Sequence, residues 1–245
     1  MREILPWITL VVCAGAAAAR IPSALRGRNP SLFFIFLLAT AASVLSIESF
    51  YLAIDRALGG VNIANVILRL IAFGTILLVA VRVTKAFGAA GAYRLITGRI
   101  GLAMLAVFSV GLVAIFLIMD ATASSVGLRG TADASPRNAV LVPLYWAAAR
   151  GYLAYVALAL LPSLLRCLRS PLPWLVRSGA ALMAAGAMAT VAGFLLEFAA
   201  AALDRQRLLV NNAAVVFFAL GLASVWLARV VATGRRSHGT SSTAG

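Results

Sequence analysis

The strongest constraint on the fold is the recurrence of apolar runs near 20 residues, the length at which an α-helix crosses a ~30 Å hydrocarbon core. Seven can be drawn, roughly 4–19, 32–54, 61–81, 100–119, 139–161, 174–201 and 207–228. Charged residues are 11% of the chain, against about a quarter in soluble domains. The expected class is therefore all-α, a polytopic membrane protein built as a bundle of seven transmembrane helices. The first run, "ILPWITLVVCAGAAAA", has the length and small-residue ending of a signal peptide. However, Arg20, Arg26 and Arg28 follow it rather than precede it, so it is read as a retained span.

Direction follows from Lys and Arg in the short loops. Thirteen basic residues fall on one side: Arg20, Arg26 and Arg28; Arg82, Lys85, Arg94 and Arg99; Arg166, Arg169 and Arg177; Arg229, Arg235 and Arg236. The other side has Arg2, Arg56, Arg129, Arg137, Arg205 and Arg207, with Glu3, Asp55, Asp120, Asp133 and Asp204. The N-terminus is thus expected outside and the C-terminus in the cytoplasm of a cell that carries the protein as a multi-pass protein of its cytoplasmic membrane. Trp7 and Trp146 would sit at the outer interface, Trp174 and Trp226 at the inner one. The net charge of +14 is explained by these loops, so no nucleic-acid partner is expected. All but one of the 21 basic residues are Arg and Ala is abundant, a composition that points to a GC-rich genome.

Loops are short except 120–138, a polar Gly/Pro-containing stretch read as a solvated loop. Residues 1–234 form one transmembrane domain in this reading, and 235–245 a disordered cytoplasmic tail. Cys13 and Cys167 are expected at different depths, which argues against a disulfide.

Glu48 lies inside the second run, seven residues before Asp55-Arg56; Glu197 lies inside the sixth, seven residues before Asp204-Arg205. A shift of 149 residues aligns the two stretches without a gap and matches seven of 18 positions over 48–65, including Asn62 with Asn211. That register places spans 2 and 3 on 6 and 7, a 3+1+3 parallel repeat (1–85 and 139–234) with span 4 as connector, a class found among transporters. The competing reading is hairpin chemistry alone, in which Asn is simply a good N-cap for the outgoing helix.

Glu48, ~10 Å deep in span 2, is expected to pair with Arg69, ~12 Å deep in span 3, at 1.5 Å per residue. Arg69 corresponds to Phe218 in the second half, so Glu197 is assigned Arg150 of span 5. Asn62, Asn211 and Asn212, with Asn65, Tyr51, Tyr145 and Tyr152, add polar groups to the same outer half. Two readings follow. Glu48, Arg69, Arg150, Glu197, Asn62, Asn211 and Asn212 line an outward-facing polar cavity for a solute, or the charges are structural ion pairs that fix helix packing. Gly179, Gly186 and Gly193, seven apart on span 6, form a face for close helix approach.

The only histidine, His238, lies in the tail, so no histidine-carboxylate metal set is expected in the membrane. G-x-S-x-G, Walker A and HExxH motifs do not occur, and the single Lys85 is not placed for a retinal Schiff base. No cofactor, no metal and no enzymatic activity are expected.

The segment "IESFYLAIDRALGGVNIANVILRLIAF", residues 47–73, with basic loops on either side, resembles an actinobacterial family of seven-helix integral membrane proteins labelled as candidate transporters. The likeness is closest at the hairpin "ID-x-x-x-G-x-x-N", here Asp55, Gly59 and Asn62. The resemblance implies a seven-helix bundle that moves a small solute. Family members carry a further soluble C-terminal region, whereas this chain stops just after span 7. The 3+1+3 arrangement is also similar in topology to the sugar-transporting SWEET architecture, without its proline-glutamine motif. Three functions are compatible with these readings: a small-solute transporter, a membrane sensor or signalling subunit acting with a separate cytoplasmic protein partner, and a packing protein. Each has the lipid bilayer as its surroundings.

Overall fold

The computed structural model describes residues 4–27, 30–120, 128, 131–198 and 204–239. Within these the chain is helical, with no strand. The helices are α1 (Ile4–Leu25), α2 (Pro30–Ser46), α3 (Glu48–Ala57), α4 (Ile63–Ala86), α5 (Ala90–Thr97), α6 (Arg99–Ile118), α7 (Pro136–Leu168), α8 (Trp174–Leu196) and α9 (Asp204–Gly239). By contacts the chain divides into two units, Met1–Val156 and Ala157–Gly245.

Among the described residues, four helices are long and apolar enough to cross a membrane singly: α4, α6, α7 and α8. A fifth crossing is reached if α2 and α3 count together, and the pair is bent by 92°. The apolar stretches of α1 and α9, Trp7–Pro22 and Ala213–Val225, are shorter than a full span. The described residues of the seven apolar runs are mostly helical, while four or five stretches among them are long and apolar enough to cross a membrane. Apolar side chains cover the outward surface of these helices: on α6, Val107, Val110 and Leu117 are 64%, 67% and 76% exposed. A helix apolar around its whole circumference is at home in lipid, not water.

The bend between α2 and α3 corrects the expected unbroken span over 32–54. The last turns of α2 carry three hydroxyls that bond back to carbonyls four residues earlier: Thr40 to Phe36, Ser43 to Ala39 and Ser46 to Ala42, at 2.7, 2.8 and 2.7 Å. Such back-bonding weakens and bends a helix. Ile47 then leaves the helix with φ −90° and ψ 120°. Glu48 therefore opens a new helix, where the dipole favours an acid. Trp7 of α1 meets Phe50 of α3, ring centres 5.5 Å apart.

α3 returns to α4 through a turn that needs glycine. Gly59 and Gly60 have φ of +105° and +71°, a region that side chains rarely enter. Their N–H groups donate to Arg56 O (3.1 Å) and Asp55 O (2.7 Å). At the 149-residue shift these glycines correspond to Leu208 and Leu209, and residues 204–212 are helical. The local structure of the two aligned stretches accordingly differs. Glu48 begins a helix, whereas Glu197 is the C-cap of α8. Asn62 lies in a turn, whereas Asn211 lies inside α9. Among the described residues of the two stretches, equal spacing of charged residues is not equal backbone. α9 also continues to Gly239, past the point where the tail was expected to begin.

In the second unit α8 and α9 pack closely. A Cβ on Gly179 would lie 2.8 Å from Val225 Cγ2 and 2.9 Å from Gly221 O, so this glycine is needed for approach. Cys13 and Cys167 are both free thiols, as expected.

Candidate functional site

The polar groups of the first unit gather at the start of α4. Asp55, in the last turn of α3, is completely buried. Its two carboxylate oxygens accept from the backbone N–H groups of Asn62 (2.9 Å) and Ala64 (3.0 Å). The first N–H groups of a helix have no partner within it, so an acid from the preceding helix caps α4. Asn62, the expected cap, makes no capping bond with its side chain. It sits in the left-handed region at φ 64°, which Asn tolerates better than most residues. Its Oδ1 accepts from the Tyr51 hydroxyl at 3.1 Å.

Further layers follow along the contact between α4 and α7. Tyr145 donates to Asn65 Oδ1 at 3.0 Å. One turn on, the Arg69 guanidinium lies over the Trp146 ring, 4.4 Å from its centre, and Arg150 approaches the same ring at 5.5 Å. Beyond them Phe73 meets Tyr152, ring centres 5.1 Å apart. Residues 65, 69 and 73 thus pair in order with 145, 146 and 152, so α4 and α7 run parallel. Tyr51, Asn62, Asn65, Tyr145 and Tyr152 are fully or almost fully buried.

The Arg69 side chain is half-buried and interacts with Tyr145 and Tyr51. Its Nε is buried without a hydrogen-bond partner, and so is the Tyr152 hydroxyl. A guanidinium at mid-bilayer costs ~2.5–3.5 kcal/mol on insertion scales. Stacking on an indole returns about 2 kcal/mol when desolvated. Stacking therefore offsets most of that cost.

The expected Glu48–Arg69 pair is not formed. Glu48 is exposed on α3, because the bend at Ile47 carries it away from the line of α2. Arg69 faces Trp146 and the two tyrosines instead. Arg150 also faces Trp146. Glu197 is half-buried in the second unit. Asn211 and Asn212 lie in α9, with side chains outside the described residues. Two members of the cluster were missed. Trp146 was read as an interface residue, although Trp146 and Arg150 are four apart and must share a helix face. Asp55 was read as an outer loop acid, and nothing in its spacing distinguishes it from one.

At the opposite end of α4, a shallow cavity of about 270 Å³ is lined by Thr84, Lys85, Gly88, Ala89, Ala90 and Tyr93. Lys85 Nζ lies 5.7 Å from the Tyr93 ring. Nearby α5 is tied to α7 by the Tyr155 hydroxyl, which donates to Leu95 O at 2.6 Å. The base of the 120–138 connection is also tied. Asn138 accepts from Asp120 N–H and donates to the carbonyls of Asp120 and Thr131, each at 3.0 Å. No group of His, Cys, Asp and Glu that could hold a metal occurs among the described residues.

No family model, no curated protein and no solved structure matches the chain.

Proposed function

We propose that this protein binds a small solute at the Tyr51–Asn65–Arg69–Trp146 cluster and carries it across the cell membrane as a transporter. In this reading the N-terminus is outside and the C-terminus cytoplasmic, so the cluster faces outward. The observation that supports it is the layering along α4 and α7. Buried amide, phenol and guanidinium groups converge between helices whose other faces are apolar. Ionisable groups at such positions are functional by default in membrane proteins. The parallel course of α4 and α7 supports only that the two cross in the same direction; that both descend from outside rests on the basic-residue bias.

A second reading, a sensor subunit that signals to a cytoplasmic protein, is favoured by one observation. The polar layers end at Phe73 and Tyr152, two aromatic rings in contact, so a path would have to open past them. Flux separates the two. Purified protein in vesicles should release a trapped small-solute mixture faster than protein-free vesicles, and Arg69→Gln should slow the release. Binding without flux would leave the sensor reading, and neither binding nor flux would remove both.

A further inference from the structure

We propose that the cavity at the end of α4, between Lys85 and Tyr93, holds the phosphate headgroup of an anionic phospholipid. The site lies at the opposite end of α4 from the Tyr51–Arg69 cluster, so it stands whether or not that cluster binds a solute. Depth, lining and charge carry the inference. α4 has 24 residues, about 36 Å at 1.5 Å per residue, against a hydrocarbon core of ~30 Å. Its last turn, with Thr84 and Lys85, therefore reaches the level of the lipid headgroups. The chain turns at once there: Gly88, at φ +63°, lets the Ala89 N–H return to Thr84 O at 2.8 Å. α5 follows directly, and the Tyr155 hydroxyl ties it to α7 through Leu95 O. The cavity is walled by tied helices rather than by a loose loop.

The lining sets the chemistry of the occupant. A volume of about 270 Å³ falls just under the ~300–1,000 Å³ of pockets that enclose a whole small molecule. It suits a headgroup whose acyl chains stay in the bilayer. Gly88, Ala89, Ala90 and the Tyr93 ring give an apolar surface, and the Thr84 hydroxyl is spent on Val81 O at 2.9 Å. A Cβ on Gly88 would meet nothing within 4 Å, so the space beside the turn is open. Among the lining residues only Lys85 is charged. Its ammonium stands 5.7 Å from the Tyr93 ring centre, within reach of cation–π attraction. It has no carboxylate partner among the described residues. Residues 82–99 hold Arg82, Lys85, Arg94 and Arg99 and no acid, and such a basic segment at a membrane surface draws anionic headgroups. A lysine meets phosphate as a compact point charge. An occupant with one negative charge beside apolar bulk matches this lining, whereas a free phosphate would leave the apolar part unfilled.

The test is titration of the full-length protein in neutral detergent with fluorescently labelled phosphatidylglycerol, competed with unlabelled compounds. The expected result is saturable binding that unlabelled phosphatidylglycerol displaces and that phosphatidylcholine and free glycerol phosphate do not. Lys85→Gln should weaken it about tenfold, and Arg94→Gln, exposed but outside the lining, by less than about twofold. Ala90→Leu keeps every charge and fills the cavity, so it should weaken binding as Lys85→Gln does. Lys85→Arg keeps the charge and should retain most of the binding. Lys85, Ala90 and Arg94 are exposed, so these variants should fold, which helix content checks. Equal losses in Lys85→Gln and Arg94→Gln, or full binding in Ala90→Leu, would mean a diffuse basic surface and overturn the site. Displacement by phosphatidylcholine or glycerol phosphate as effective as by phosphatidylglycerol would overturn it too. Should Ala90→Leu fail to fold, the comparison of Lys85→Gln with Arg94→Gln decides. Lipid binding without solute flux would sink the transporter reading and leave this one standing, and flux without lipid binding would do the reverse.

Discussion

Replacing Asp55 should unfold the α3–α4 hairpin before anything else in the first unit. Its two oxygens hold two backbone N–H groups at 2.9 and 3.0 Å, and the residue is 0% exposed. Hydrogen bonds to a charged acceptor contribute about 1.5–3 kcal/mol each. Asp55→Asn keeps one acceptor and turns an NH₂ toward the other N–H, so about 2–3 kcal/mol is lost. Asp55→Ala removes both acceptors and leaves two buried donors unmet, for about 3–5 kcal/mol. Glu48→Gln serves as the comparison, because Glu48 is exposed and surface changes of this kind stay within about 0.5 kcal/mol. Reversible unfolding in mixed detergent, followed by helix content, gives the three free energies. The reasoning fails if Glu48→Gln costs as much as Asp55→Asn, or if Asp55→Ala costs less than about 1 kcal/mol. Either result would return Glu48 to a buried ion pair and Asp55 to a solvated loop.

Three further outcomes are expected. Tyr145→Phe, which strips Asn65 of its donor, should lose about 1 kcal/mol, whereas Tyr152→Phe, which removes a buried hydroxyl with no partner, should be neutral or stabilising in the same unfolding assay. Gly179→Ala should destabilise the second unit by about 1–3 kcal/mol through overpacking against Val225 and Gly221. Gly111→Ala, with nothing within 4 Å, should gain up to about 1 kcal/mol from helix propensity. A C-terminal reporter that works only in the cytoplasm should be active and one that works only outside silent; the reverse would overturn the assigned direction.

Membrane character, all-helical structure and the positions of the long apolar helices were legible from the sequence, because lipid accepts few backbone solutions and demands length and apolarity that can be read residue by residue. The polar cluster was partly legible: Arg69, Asn62 and Arg150 were singled out as groups too costly to be idle. What spacing could not supply was the partner of each. The match of Glu48 with Glu197 suggested a shared role. Gly59-Gly60 against Leu208-Leu209 held the contrary information, since one pair turns the chain and the other continues a helix. Three serine and threonine hydroxyls and one extended residue, Ile47, swing Glu48 out of its expected line. The face that a side chain presents depends on every backbone angle before it, so a single bend of 92° reassigns a charge from ion pair to surface. Only the tertiary structure could decide that Asp55 caps α4 and that Trp146, rather than a glutamate, meets Arg69. Both contacts join residues of different helices, and no periodicity within one helix encodes its rotation against another.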